Sequence, residues 1–145
     1  MKDFREFIER GIIKKQSQNL SRAKDLIEES ERKYRTLKSI LTKIGLTEDN
    51  ANDIIEYSYD ILIGLIRSKL YMDGFKSSGE GAHEAEISYL INLGFGDTES
   101  RFMDELRYFR NRIKYYGKKL DSGYAKKVLA YLEDNYRKLK NKIKL

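Results

Sequence analysis

The sequence predicts an all-α protein, an up-and-down bundle of four long helices and one short helix. Three observations lead to this fold class. Apolar residues recur at steps of three and four along most of the chain. No proline is present to interrupt a long helix. No stretch combines the two-residue alternation and turn spacing of a sheet. With 145 residues and no internal repeat, the chain is predicted to form one domain, 1–145.

The first part of the chain contains two apolar stripes separated by a polar run at 14–19. The earlier stripe consists of Phe4, Phe7, Ile8, Gly11 and Ile12. The later one is an a/d seam formed by Leu20, Ala23, Ile27, Ser30, Tyr34, Leu37, Leu41 and Ile44. Either one long helix bends at the polar run, or two helices meet there, with Asn19 or Ser21 as the N-cap.

The middle of the chain predicts a central helix and a loop. Gly45 ends the preceding helix, and Thr47 is expected to cap the next one. Residues 54–70 are apolar almost all round, which is typical of a helix at the centre of a bundle. A flexible Gly- and Ser-rich loop is predicted over 74–81. A short helix over about 82–92 should follow and end at Gly94.

Two amphipathic helices are predicted for the last third. The first begins with Asp97 or Thr98 as its cap and ends at Gly117. Its predicted core stripe is Phe102, Leu106, Phe109, Ile113 and Tyr116. Asp121 or Ser122 should cap the final helix. Its predicted core face is Ala125, Val128, Leu129, Leu132, Tyr136, Leu139 and Ile143.

Charge is unevenly distributed along the chain. Residues 101–145 contain 14 Lys and Arg against 5 Asp and Glu, whereas residues 1–100 contain 15 against 18. A basic third on a slightly acidic body favours a polyanionic partner, with phosphate as the obvious candidate. A solvated helix face with a basic tail is the alternative. The charged start and the short apolar runs predict a cytoplasmic protein that does not enter a membrane.

The residue types exclude several kinds of chemistry. The chain has no cysteine, so disulfides and cysteine-based zinc sites are excluded. His83 is the only histidine. Its spacing from Glu80 matches half of a di-iron motif, which requires a second histidine. No serine lies in a nucleophile-elbow context, and the glycines match no phosphate-binding motif. We therefore expect no metal or cofactor, and expect His83 to pack or hydrogen-bond locally.

Residues 106–117 are the strongest candidate for function. They combine four cations, three tyrosines and an asparagine at helical spacing. Arg107, Arg110 and Lys114 follow one flank of the predicted helix, and Asn111 and Tyr115 follow the adjoining one. Cations beside an amide and an aromatic face suit a ligand with a phosphate and a base to stack on. An Arg–Asp network with tyrosines at a helix or dimer seam is the structural alternative.

The Arg110-Asn111 pair, preceded by the apolar Phe109 near the end of the penultimate long helix, resembles the HEPN superfamily. The long apolar helix and the following Gly/Ser loop resemble the middle of that domain. The resemblance implies a small helical homodimer, often a toxin with a minimal nucleotidyltransferase as its antitoxin partner. In RNA-cleaving members the arginine steadies the phosphate and a later histidine is the proposed acid/base. Tyr115 occupies that histidine position here, and Gly117 replaces a further tyrosine, so the motif is degenerate.

The sequence thus favours a dimeric HEPN-like module that binds RNA or a nucleotide, or accompanies a nucleotidyltransferase, without robust catalysis. Its predicted binding residues are Arg107, Arg110, Lys114 and Tyr115, and its degenerate catalytic motif is Arg110, Asn111 and Tyr115. A metal-independent endoribonuclease is one alternative, with Tyr115 or His83 supplying the missing base. A purely structural helical dimerisation protein is the other.

Overall fold

The computed structural model describes residues 2–144. Within this range it contains six helices and one antiparallel two-stranded sheet. The helices are α1 Phe4–Glu9, α2 Leu20–Lys43, α3 Ala51–Met72, α4 Ala82–Asn92, α5 Asp97–Tyr116 and α6 Ser122–Lys142, and the strands are β1 Ile13–Lys15 and β2 Phe75–Ser77. The predominance of helix confirms the predicted all-α class, and the small sheet was not predicted.

Helix α3 lies at the centre of the molecule. It packs against α2, α4, α5 and α6, which is why residues on all its sides are apolar. Ile61, Leu65 and Ile66 are completely buried, and Leu62 is 1% exposed. The prediction that residues 54–70, which are apolar on almost all sides, form a central helix is therefore confirmed.

Helices α2 and α3 approach closely and run antiparallel. Ser30 donates a hydrogen bond to the carbonyl of Ile61 at 3.0 Å, and Lys33 forms an ion pair with Asp60 at 3.4 Å. Residue numbers at these contacts therefore rise along α2 and fall along α3, as expected for antiparallel helices. A Cβ on Gly64 would collide with the Ser30 hydroxyl, so two small residues allow this close approach.

The a/d seam predicted for α2 is buried only in its middle. Ala23, Ile27, Ser30 and Leu37 are buried, whereas Leu20 and Ile44, at the two ends, are exposed. The helix begins at Leu20, where Asn19 caps it by accepting a hydrogen bond from the Arg22 amide at 3.0 Å. Asn19 is therefore confirmed as the N-cap, but both N-terminal alternatives are wrong, because α1 ends at Glu9 and strand β1 separates it from α2.

Strands β1 and β2 tie the N-terminal segment to the end of α3. Their three residue pairs run from Ile13 opposite Ser77 to Lys15 opposite Phe75. The pairing continues where the Gln16 amide donates to the Gly74 carbonyl at 2.9 Å. A strand of three residues is too short to show alternation in the sequence. Segment 74–81, which was predicted to be a flexible loop, contains strand β2.

Among the remaining predicted helix ends, Thr47, Asp97 and Thr98 are not caps, whereas Asp121 and Gly117 are confirmed. Thr47 does not cap α3, which begins after Asn50; these two residues exchange backbone-to-side-chain hydrogen bonds in the turn before it. Asp97 lies inside α5 rather than at its cap. Asp121 caps α6, and Gly117 ends α5 in the left-handed conformation. Across residues 2–144, none of the helices has the length and apolarity that a membrane crossing requires.

Candidate functional site

Helix α5 presents a different face to the core than the spacing predicted. Its buried residues are Ser100, Met103, Leu106, Arg110 and Ile113. Tyr116 was predicted to be core, but 74% of it is exposed at the last position of the helix. Phe109 is only half-buried, against α6. Leu106 and Ile113 belong to both stripes, so the observed face is the predicted one turned slightly about the helix axis.

This rotation places Arg110 inside the protein, facing α3. Only 9% of Arg110 is exposed. Its guanidinium lies 5.2 Å from the centre of the Tyr59 ring, and its terminal nitrogen is 3.5 Å from an Asp60 carboxylate oxygen. The Arg110 Nε is buried and has no hydrogen-bond partner among residues 2–144. An unpaired buried donor costs roughly 1–3 kcal/mol, so Arg110 is held in place but under-satisfied.

Tyr59 connects Arg110 to His83. The Tyr59 hydroxyl is 2.9 Å from His83 Nδ1, and His83 Nε2 is 3.2 Å from a terminal nitrogen of Arg67. A guanidinium can only donate, so Nε2 must be the unprotonated nitrogen. We therefore assign His83 as a neutral imidazole whose Nδ1–H donates to the Tyr59 oxygen, an assignment made from the hydrogen-bond network.

The environment of His83 favours this neutral form. Burial lowers its pKa below the ordinary value of 6.5. The Glu86 carboxylate opposes this effect, whereas the positive charges of Arg67, Arg110 and Arg107 lower the pKa further. Burial also raises the pKa of Tyr59, so its phenol stays protonated. The two rings are therefore uncharged in a setting dominated by guanidinium groups.

Glu86 completes the network on the far side of His83. Its carboxylate is 1% exposed and accepts two hydrogen bonds from Arg67, at 2.6 and 2.9 Å. The Ser77 hydroxyl donates a third at 2.7 Å. These bonds fix α4 to both α3 and β2. We call Tyr59, Arg67, His83, Glu86 and Arg110 the Tyr59 cluster.

The remaining predicted site residues lie apart from this cluster or at its margin. Arg107 is paired with Asp104 at 2.9 Å and is close enough to affect the pKa of His83. Asn111 is half-buried. Tyr115 is 66% exposed, with the Lys114 ammonium 5.8 Å from its ring centre. The structure thus buries Arg110 near His83 and leaves Lys114 and Tyr115 on the surface, so Arg110 and Lys114 do not share the one flank on which they were predicted.

Sequence reasoning missed Tyr59, Arg67 and Glu86. A signal was present for all three, because each is a polar or ionisable residue within a largely apolar helix. Such residues are buried only when something pairs with them. His83 was expected to bond locally, yet its partners Tyr59 and Arg67 belong to another helix.

A second feature is an exposed aromatic stripe on the C-terminal half of α5. It consists of Tyr108, Arg112, Lys114, Tyr115 and Tyr116. The three tyrosines are 53%, 66% and 74% exposed, and the Arg112 guanidinium lies 5.1 Å from the Tyr116 ring centre. Exposed rings with cations over their faces can stack on a planar ligand or on a second protein surface.

The described residues contain no group of three or more His, Cys, Asp or Glu side chains placed to hold a metal ion. No protein-family model, curated protein or solved structure matches this chain. The Tyr59 cluster and the exposed aromatic stripe are therefore the two features of this chain from which its function is inferred.

Proposed function

We propose that this protein is a HEPN-like homodimeric module that binds RNA or a nucleotide through α5, with the four long helices in up-and-down order. The observation that carries the proposal is Arg110, a buried guanidinium with one carboxylate contact at 3.5 Å and an unpartnered Nε. A phosphate group supplies strong acceptors for such donors.

The surroundings of Arg110 support an anionic ligand. Tyr59 and Asp60 fix the guanidinium, so little side-chain entropy remains to be lost on binding. Arg107 and Arg67 add positive charge nearby, and both are partly accessible, with 24% and 28% of their side chains exposed.

Binding of a fluorescently labelled single-stranded RNA tests this proposal. We expect the affinity to fall as salt rises, because phosphate contacts release counterions. Arg110→Ala should weaken binding by roughly 10-fold or more, in line with the loss of one charged hydrogen-bonding group. Arg101→Ala is the matched control: it removes the same charge from α5, but at an exposed site where Arg101 pairs with Asp97 at 2.8 Å.

Three results would reject the proposal. These are no salt-dependent binding by the wild type, equal effects of Arg110→Ala and Arg101→Ala, or loss of fold in Arg110→Ala with full binding retained by Arg110→Lys. The last comparison matters because lysine keeps the charge but lacks the planar fork of donors.

We propose the exposed aromatic stripe as the dimer surface, and a minimal nucleotidyltransferase as the partner that the HEPN resemblance implies. Large exposed rings gain most when a second copy covers them. Tyr115→Ala should weaken self-association in analytical ultracentrifugation. Ile44→Ala, which removes an equally exposed side chain from the end of α2, should not. A wild-type monomer at high concentration would refute this part.

A metal-independent endoribonuclease is the second candidate, favoured by one observation. Arg110 and a neutral His83 contact the same tyrosine, Tyr59. A neutral imidazole can accept the proton of a ribose 2′-hydroxyl, provided Arg67 releases Nε2. Cleavage of mixed RNA that His83→Gln and Arg110→Ala both abolish would support this candidate. Activity that persists unchanged in His83→Gln would reject it.

A further inference from the structure

A separate pocket lies where α5 ends and α6 begins. Its volume is about 470 Å³, which is within the range of small-ligand sites. Phe109, Leu120 and Tyr124 form its apolar floor, and Lys118 and Lys119 form its basic edge. None of these residues belongs to the Tyr59 cluster or to the exposed aromatic stripe.

The walls of this pocket are fixed in place. Asn52 of α3 holds the 118–120 segment at both ends, donating to the Lys118 carbonyl at 3.0 Å and accepting from the Leu120 amide at 2.9 Å. The Tyr124 hydroxyl donates to Glu105 at 3.1 Å. The pocket is therefore largely formed before a ligand arrives.

The floor has the geometry of a stacking site. The rings of Phe109 and Tyr124 are 4.9 Å apart and inclined at 62°, so together they make an aromatic corner. Burial raises the pKa of Tyr124, which keeps its ring uncharged. A nucleobase could stack on one ring and meet the edge of the other.

The charges around the pocket favour a nucleotide over a bare polyanion. Lys118 and Lys119 are exposed and have no carboxylate partner within residues 2–144. Glu48 and Asp121 also line the pocket and balance the two lysines in number. A ligand must therefore gain from the aromatic floor as well as from the basic edge.

We infer that this pocket binds a nucleotide unit, with the base on Phe109 and Tyr124 and the phosphate at Lys118 and Lys119. The inference rests on the proposed function, and it names single-stranded RNA as the substrate class. On α3, Asn52 contacts the pocket segment 118–120, and Asp60 contacts Arg110. Asn52 and Asp60 are eight residues apart, about 12 Å along the helix. One short single-stranded RNA can therefore reach both sites.

The test compares three probes with two matched variants. The probes are an oligouridylate of about 12 nucleotides, an abasic ribose-phosphate chain of the same length, and uridine monophosphate. Phe109→Leu removes the stacking ring but keeps apolar bulk. Phe102→Leu makes the same change on α5 at a residue that does not line the pocket; Phe102 packs on Tyr131 at 4.5 Å and reaches the Tyr124 ring at 6.5 Å, so this variant controls for indirect effects on Tyr124.

We expect Phe109→Leu to weaken oligouridylate binding by roughly 5- to 100-fold, the range for loss of one base-stacking contact. Binding of the abasic chain should not change, and Phe102→Leu should behave as the wild type. Uridine monophosphate that shifts the amide resonances of 117–120 would show that a free nucleotide suffices. Binding of the oligomer alone would identify RNA as the ligand.

The outcomes separate this inference from the proposed function. The pocket is overturned if Phe109→Leu and Phe102→Leu bind the oligouridylate with equal affinity. It is also overturned if Phe109→Leu weakens binding of the abasic chain as much as binding of the oligouridylate. In both cases Arg110→Ala still tests the phosphate site. If the wild type binds no RNA, the proposed function fails. The pocket is then judged by uridine monophosphate, and unshifted resonances at 117–120 overturn it as well.

Discussion

Glu86→Gln is the most informative perturbation of the Tyr59 cluster. The substitution keeps the size of the side chain and removes its charge. The amide can accept from Arg67 through its oxygen, but its NH₂ group then faces a second Arg67 donor. At least one of the bonds at 2.6 and 2.9 Å is therefore lost.

The expected cost follows from burial and bond type. A hydrogen bond to a charged group contributes roughly 1.5–3 kcal/mol, and breaking a fully buried ion pair costs about 3–5 kcal/mol. Arg67 is 28% exposed and can recover part of its hydration, whereas Glu86 is 1% exposed. We therefore expect the free energy of unfolding to fall by about 2–3 kcal/mol, a large share of the roughly 5–15 kcal/mol typical of a domain.

Urea unfolding followed by circular dichroism at pH 7 measures this loss. Glu84→Gln is the matched control, since it makes the same change on α4 at a residue whose main contribution is its charge in the first helical turn. Its cost should stay within about 0.3–1 kcal/mol. Equal losses in the two variants would refute the reasoning. The double variant Arg67→Met with Glu86→Leu should recover part of the loss, because it removes both charges together.

Three further results are expected from the structure. Gly74→Ala should lower the free energy of unfolding by about 1–3 kcal/mol, because φ is +82° and the new Cβ would lie 2.8 Å from the Gln16 carbonyl oxygen; Gly79→Ala, at φ +81° with open space around it, should cost less in the same urea assay. Stability should fall as the pH drops below about 6.5, because burial lowers the pKa of His83 and the unfolded chain then binds the proton more readily; urea midpoints at pH 7.5 and 5.5 should show a smaller difference in His83→Gln, and an unchanged difference would contradict this. Leu65→Ala should cost about 2–5 kcal/mol by chemical unfolding, since Leu65 is completely buried in α3; a loss below about 1 kcal/mol would contradict the central position of that helix.

The periodicity of α5 shows how far sequence reasoning could reach. Steps of three and four correctly predicted a helix with Leu106 and Ile113 in the core. Two stripes share these residues, one through Phe109 and the other through Arg110. Hydrophobicity favoured the first. The second is the one observed, because Tyr59 and Asp60 on α3 receive the guanidinium. No pattern within α5 contains that information.

The two-stranded sheet could not be predicted from the sequence either, because it too depends on contacts between distant residues. Strands of three residues have no detectable period, and their pairing depends on Ile13 and Ser77 meeting across 64 positions of sequence. From the sequence, Gly74 indicates only a flexible loop. In the structure its positive φ serves the close approach of the Gln16 carbonyl.

The sequence by itself determined the helical class, the central position of α3 and the break at Gly117, and it narrowed the caps of α2 and α6 to two candidates each. These features depend on local helix propensity and on apolar spacing, both of which can be determined from residues that are neighbours in the sequence. Only the tertiary structure decided that Arg110 is buried, that His83 is neutral, and that Phe109 and Tyr124 form a pocket. Each of these depends on which residues of distant helices meet, because burial and charge pairing arise between helices and not within them.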